Sequence, residues 1–174
     1  AGVSGNGQTA LADLLCGERA LDTGTLHING HALPARPRAF VQAGVARVPE
    51  DRHAVGVVGD MALWENAVLE RYAESAFARG GLMKRGAAMG FARSLLQRFD
   101  VRGAEGRGVL TITRRLSGGN MQKLILGRVL GQANRPLLII ANQPTWGLDI
   151  GAVAYVHQQL LDACAQGAAV LVIS

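Results

Sequence analysis

Cysteine, aromatic residues and long apolar runs are scarce in this chain, and each shortage removes a class of protein. Two cysteines in 174 residues, Cys16 and Cys164, stand far apart without Cys-x-x-Cys spacing. That excludes a disulfide-stapled module and a cysteine zinc site, and both thiols fall on apolar faces of expected helices, which predicts buried free cysteines in a reducing compartment. The four histidines also lack metal-ligand spacing. No apolar run approaches the about eighteen residues of a membrane span, and no signal-peptide pattern opens the chain. Aromatics make up 5% of the residues, and no Lys/Arg block with interleaved aromatics occurs. The net charge of +5 and the pI near 10.0 therefore do not choose between nucleic acid, an anionic membrane surface and a phosphorylated ligand.

What is present is an apolar fraction of 49%, rich in Ala, Leu and Val. At this length that is enough for one packed core of α/β type. Ala1-Gly2-Val3 opens inside a motif and Leu171-Val172-Ile173-Ser174 closes on a strand, so the chain is expected to be a piece of a longer protein.

The rest of the chain is organised around Leu116 to Lys123, Leu-Ser-Gly-Gly-Asn-Met-Gln-Lys, followed by Pro144-Thr145-Trp146-Gly147-Leu148-Asp149. A serine and two glycines before an apolar-periodic segment describe a helix start with bare N–H groups, which binds anions. The same residues could make an ordinary flexible turn. Near the N-terminus, Ala1 to Thr9 fits the phosphate-loop pattern G-x-x-x-x-G-K-[ST] at Gly2, Gly7 and Thr9, but Gln8 stands where lysine should be. The following helix should carry Ala10, Leu11, Leu14 and Leu15 on one face and stop at Gly17. Gly5-x-Gly7-x-x-Ala10 also fits the dinucleotide fingerprint of a Rossmann-like domain. That reading needs an acidic residue at the end of the next strand, where Asn29-Gly30 stands instead.

Gly24 to Gly30 alternates and closes on Asn-Gly, predicting a short antiparallel hairpin arm. Val45 to Val48 reads as a strand, and the charged Pro49 to His53 leaves it, either as ligand contacts or as a solvated turn. From Met61 to about Gly131 the pattern is helical with no strand-like run. Ala88, Phe91, Ala92, Leu95, Leu96 and Phe99 share one helix face there, and Gly80-Gly81 and Gly103 to Gly108 interrupt it. Met121, Leu124, Ile125 and Val129 continue the helix that Ser117 opens. Leu137 to Ala141 is a solid apolar run, as in a parallel strand buried on both faces. Val153, Val156, Leu160, Leu161 and Cys164 mark a further helix, and Ala169 to Ile173 a last strand.

With these residues in order, the chain resembles the nucleotide-binding domain of ATP-binding cassette (ABC) transporters. The phosphate loop spans Gly2 to Thr9, the signature motif Leu116 to Asn120, the acidic-motif strand Leu137 to Gln143 and the D-loop Gly147-Leu148-Asp149. Pro49-Glu50-Asp51-Arg52, the Asn120-x-Gln122-Lys123 ending and Pro144 to Ala152 resemble the second cassette of tandem-cassette importers for ribose-type sugars and nucleosides. Asn142-Gln143 leans towards the nucleoside branch. The resemblance implies a P-loop NTPase α/β fold, with a mostly parallel sheet, flanking helices, a small antiparallel β arm and an inserted helical subdomain. It divides as residues 1–60, the first part of the α/β core with the arm; 61–131, the insertion ending in the signature helix; and 132–174, the rest of the core.

It also implies roles. Gly2, Gly5, Asn6, Gly7, Gln8, Thr9 and Ala10 would hold ATP, with Glu50 at the Q-loop position and Asp149 in the D-loop. Thr9 and Asn142 would face Mg²⁺, Gln143 would occupy the catalytic-glutamate position, and Ser117, Gly118 and Gly119 would act in trans. The departures are Gln8 for lysine, Asn142 for aspartate and Gln143 for glutamate. A missing charge-assisted phosphate contact is worth roughly 1.5–3 kcal/mol, and a missing general base costs about 10²–10⁴ in rate. The domain's own site is thus expected to be degenerate, to bind ATP and Mg²⁺ weakly or not at all, and to give no ATPase activity as an isolated piece. Implied partners are a companion cassette in the same polypeptide, transmembrane permease subunits and, indirectly, a periplasmic or lipoprotein substrate-binding protein. The place is the cytoplasmic face of the inner membrane, and no nucleic acid is expected. The rival class is a non-transport cassette ATPase of DNA repair or translation.

Overall fold

A computed structural model describes residues 5–131 and 135–174, so Gly2 and the first turn of the phosphate-loop pattern lie outside the described residues. The centre is a three-stranded parallel sheet in the order β3 (Val45–Val48), β6 (Leu138–Asn142), β7 (Ala169–Ile173). Val45 is in register with Leu138, and Leu138 with Ala169. Because side chains alternate across a strand, the apolar run of β6 feeds two cores. Ile139 and Ala141 join Ala46 and Val48 against one set of helices, while Ile140 joins Val45 and Ile173 against the other. Leu137, at the head of the apolar run, lies outside β6 and is exposed, so the run enters the cores from Leu138 onward. β7 pairs only with β6 among the described strands, and Leu171 and Val172 are exposed along it.

The smaller core lies under α1 (Gln8–Leu15) and α2 (Pro37–Gln42). Here the expected stripe is corrected. Ala12 and Cys16, one turn apart, face the sheet with Phe40, whereas Leu11 is 46% exposed. Small side chains at i and i+4 let an eight-residue helix lie close on the strands, and Leu11 points off that seam. Between these helices, β1 (His27–Ile28) and β2 (His31–Ala32) form the expected hairpin arm. Asn29 and Gly30 have φ of 51° and 78°, the pair of positive values that a two-residue hairpin turn demands.

The larger core is built by α5 (Gly118–Leu130), whose Met121, Leu124, Ile125 and Val129 are buried as their spacing predicts. Around it pack α3 (Leu63–Ala67), α4 (Arg85–Arg98) and α6 (Ile150–Ala165). Ala88, Ala92, Leu95 and Phe99 bury the face of α4 that the pattern marks. Asn66, fully buried, pins residues on either side of these helices. It accepts from the N–H of Val58 and donates to the Val58 carbonyl and to Thr113 Oγ1, at 2.8–2.9 Å.

Two further expectations are corrected. Between residues 61 and 131 a second antiparallel hairpin occurs, β4 (Ala78–Arg79) with β5 (Leu82–Met83), turning on Gly80 and Gly81 at φ of 56° and 79°. Two-residue strands are too short to show alternation, so only the Gly-Gly pair marked them. On α6 the buried side chains are Val156, Leu160 and Ala163; Leu161 is 62% exposed and Cys164 is exposed as well. Both sit about one position round from the stripe facing α5, so Cys164 is not the buried thiol expected. Cys16 is buried, and desolvation raises its pKa to about 11. Among the described residues, no helix is long and apolar enough to cross a membrane.

Candidate functional site

The phosphate-loop residues build a helix start without a side-chain cap. Gly7 is the N-cap of α1 at φ 93°, and Gly5 has φ 92°. A Cβ at either position would meet nothing within 4 Å, so these glycines serve the left-handed backbone and not a tight protein contact. Asn6, Gln8, Thr9 and Ala10 follow, with Thr9 exposed and Gln8 and Ala10 half-buried. The N–H groups of this first turn have no intrahelical acceptor.

Thr9 lines a cleft of about 570 Å³ with Glu50, Arg52, Asn142 and Trp146. The cleft lies beyond the C-terminal ends of β3 and β6, where parallel sheets hold ligands. Glu50 follows β3 directly, and Asn142 ends β6 at 7% exposure. Asn142 Nδ2 donates to Glu50 Oε2 at 3.4 Å, while its buried Oδ1 has no partner among the described residues. A buried amide oxygen and a carboxylate, in a cleft that a threonine also lines, are oxygen donors of the kind a hard cation takes. No cluster of three or more His, Cys, Asp or Glu suited to a metal occurs among the described residues. Gln143, next in sequence, has φ 46°, and its N–H donates to the Ile173 carbonyl at 2.7 Å.

Ser117, Gly118 and Gly119 form a different surface, the start of α5, and they are not among the residues lining that cleft. Ser117 Oγ is the N-cap, accepting from the Asn120 N–H at 3.4 Å and from Asn120 Nδ2 at 2.9 Å. The N–H groups of Gly118 and Gly119, first in the helix, have no intrahelical acceptor. Asp149 caps α6 beside them, accepting from the Ala152 N–H at 2.9 Å, and a Cβ at Gly119 would lie 3.7 Å from the Ala152 side chain. The sequence-derived residues thus fall into two groups: Thr9 of α1, Glu50 and Asn142 around the cleft, with Gln143 directly after β6, and Ser117, Gly118, Gly119 and Asp149 at two adjacent helix starts.

Two residues join the groups, and sequence reading assigned neither a role. Gln122, buried in α5, donates Nε2 to the Pro144 carbonyl at 2.8 Å. Arg52 opens a single turn of π-helix, Arg52–Gly56, and donates Nη1 to the Trp146 carbonyl at 2.8 Å and Nη2 to the Gly147 carbonyl at 3.3 Å. Asp51 before it accepts from the N–H groups of His53 and Ala54, both at 2.9 Å, and these bonds hold its carboxyl below the usual range. The only sequence signal for Arg52 was a charged cluster straight after a strand; its partners stand 94 and 95 residues away.

Comparison with known proteins places this arrangement. A family model described as ABC transporter matches residues 1–145. The chain is 40% identical over 175 residues to the guanosine import ATP-binding protein NupO of Bacillus subtilis, and 41% identical over 175 residues to the glucose import ATP-binding protein TsgD13 of Haloferax volcanii. Each match covers 100% of this chain and 33% and 31% of those proteins, so the chain spans about a third of the length of the curated relatives it matches. Among solved structures, a dimeric ATP-binding cassette in a post-hydrolysis state with ADP and Pi superposes with a TM-score of 0.72 at 21% identity. That match covers 99% of this chain and 71% of the other, and carries the fold.

Proposed function

We propose that this chain, which belongs to the ABC transporter family, is one cassette of an importer ATPase for a simple sugar or a nucleoside, and that it serves its companion's ATP better than its own. The names of its relatives support the importer class, since they import guanosine and glucose. The observation that carries the division of labour is the contrast between the two surfaces. Gln8 at the start of α1 and Asn142 and Gln143 at the end of β6 are neutral amides, and of the carboxylates lining the cleft, Asp13, Glu18, Glu50 and Asp51, it is Glu50 that bonds Asn142. At the start of α5, a capped serine and two bare glycine N–H groups are all in place.

In this reading the insertion spans residues 61–131 between the core parts 1–60 and 132–174. Gln8, Thr9 and Ala10 in the first turn of α1, with Gly5, Asn6 and Gly7 before it and Gly2 earlier in the sequence, would cradle a nucleotide through backbone N–H groups and hydroxyls. Thr9 Oγ1, Asn142 Oδ1 and Glu50 would take Mg²⁺, whose role is to neutralise phosphate charge. A neutral amide holds a hard cation less firmly than a carboxylate, so metal and nucleotide are weak here. Gln143 has no basic oxygen of carboxylate strength and cannot take a proton from water. Ser117, Gly118 and Gly119 would instead donate to the γ-phosphate held by the companion, adding hydrogen bonds where charge develops. Asp149 would hold the adjoining D-loop by capping α6. The companion cassette lies in the same polypeptide, permease subunits and a periplasmic or lipoprotein binding protein complete the importer, and the domain works at the cytoplasmic face of the inner membrane.

The test is Ser117→Arg in the complete transporter. ATP turnover should fall by about 10²-fold or more, the scale of losing preorganised donors at a developing charge. Turnover near wild type would remove the trans role.

A further inference from the structure

We propose that Arg52 is a positioning residue that locks the Trp146–Gly147 turn to the start of α5, so that both surfaces offered to a companion cassette move as one body. Its importance for turnover rests on the trans role of Ser117–Gly119 given above; the mechanical coupling itself does not.

The geometry is that of a planar fork between two backbones. One side of the guanidinium donates to two successive carbonyls, Trp146 and Gly147. The other side lies against the bare Cα of Gly118, where a Cβ would sit 3.2 Å from Nε and 3.4 Å from Nη2. Gly147 has φ 66°, and a Cβ there would also meet Nη2 at 3.2 Å. Two glycines therefore make room for one side chain. The Gly118 backbone is not in the left-handed region, so Arg52 is what opposes a side chain at that position.

The turn that carries Arg52 is itself clamped. Asp51 caps its start, and at its end a Cβ on Gly56 would come within 2.6 Å of Ile125 Cδ1 on α5. Gln122 adds a second tie from α5 to Pro144. Residues 52–56, the first turn of α5 and residues 144–147 therefore form one mechanical unit, in which Arg52 meets Trp146, Gly147 and Gly118 and Gln122 meets Pro144. A lysine can reach one carbonyl but lacks the planar fork that bridges two.

Hydrogen–deuterium exchange on the full-length protein tests this with Arg52→Met and Arg52→Lys. Arg52→Met should raise exchange of the hydrogen-bonded amides within 120–123 and 146–148 together by about tenfold, the scale expected on losing charge-assisted bonds. Arg52→Lys should give a smaller rise in the same two segments, and it carries the test if the Met variant does not fold. Gly118→Ala should reproduce the signature by displacing the guanidinium, and adding it to Arg52→Met should produce little further change. A rise confined to 52–58, or full additivity of Gly118→Ala with Arg52→Met, would overturn the proposal. Turnover measured on Ser117→Arg separates the two ideas: wild-type turnover there removes the trans role, while the exchange pattern alone decides the coupling.

Discussion

The starts of α1 and α5 both carry glycine, yet the burial and bracing behind them differ. α1 has eight residues, of which Ala12 alone is buried, and its N-cap Gly7 offers no side chain. α5 has thirteen, with eight of them buried, a serine cap, and braces from Arg52 and Gln122 to the Trp146 turn. The same local chemistry can therefore be loosely or firmly held. Firm placement goes with the surface that carries Ser117, Gly118 and Gly119. A donor aimed at a developing charge is useful only if its position is fixed in advance.

Stability measurements can break that comparison. Leu124→Ala, in the buried face of α5, should cost about 2–5 kcal/mol in urea unfolding, whereas Leu11→Ala on α1 should change stability by less than about 0.5 kcal/mol. Equal losses would mean the two helices are equally anchored. A smaller effect sharpens the picture: Gln122→Met leaves the Pro144 carbonyl without its donor and should cost about 1–3 kcal/mol. If it were neutral, α5 would not be tied to that turn by this bond. Smallest is the contrast between thiols. With the folded protein near neutral pH, Cys164 should alkylate readily and Cys16 should not, as read by mass spectrometry after brief maleimide treatment. Because burial raises the Cys16 pKa from 9.0 to about 11, its stabilising contribution is complete below pH 9.0 and is lost as pH rises towards 11. Cys16→Ser should flatten that alkaline part of the stability profile.

Much of the fold was legible because its signals are local. Asn29-Gly30 dictated a hairpin through two positive φ angles, Ser117 marked a helix start, and the apolar run from Leu137 marked a strand whose Ile139, Ile140 and Ala141 are buried on both faces, though Leu137 itself stays outside it and exposed. The faces of α1 and α6 were not legible. Each has more apolar residues than its seam can cover, so Leu11, Leu161 and Cys164 compete on paper with Ala12, Cys16 and Ala163. The β4–β5 hairpin escaped because its strands are two residues long and helical patterns flank it.

The site divides in the same way. Sequence by itself determined which residue types stand at the candidate positions: the amides Gln8, Asn142 and Gln143, and Ser117-Gly118-Gly119 at a helix start. It could do so because those groups act as individual side chains and backbone donors at known spacings. Only the tertiary structure decided that Glu50 and Asn142 meet at the strand ends, and that Arg52 bridges the Trp146 turn to α5. Those contacts span 92 to 95 residues, and no local periodicity encodes a distance that chain folding alone closes.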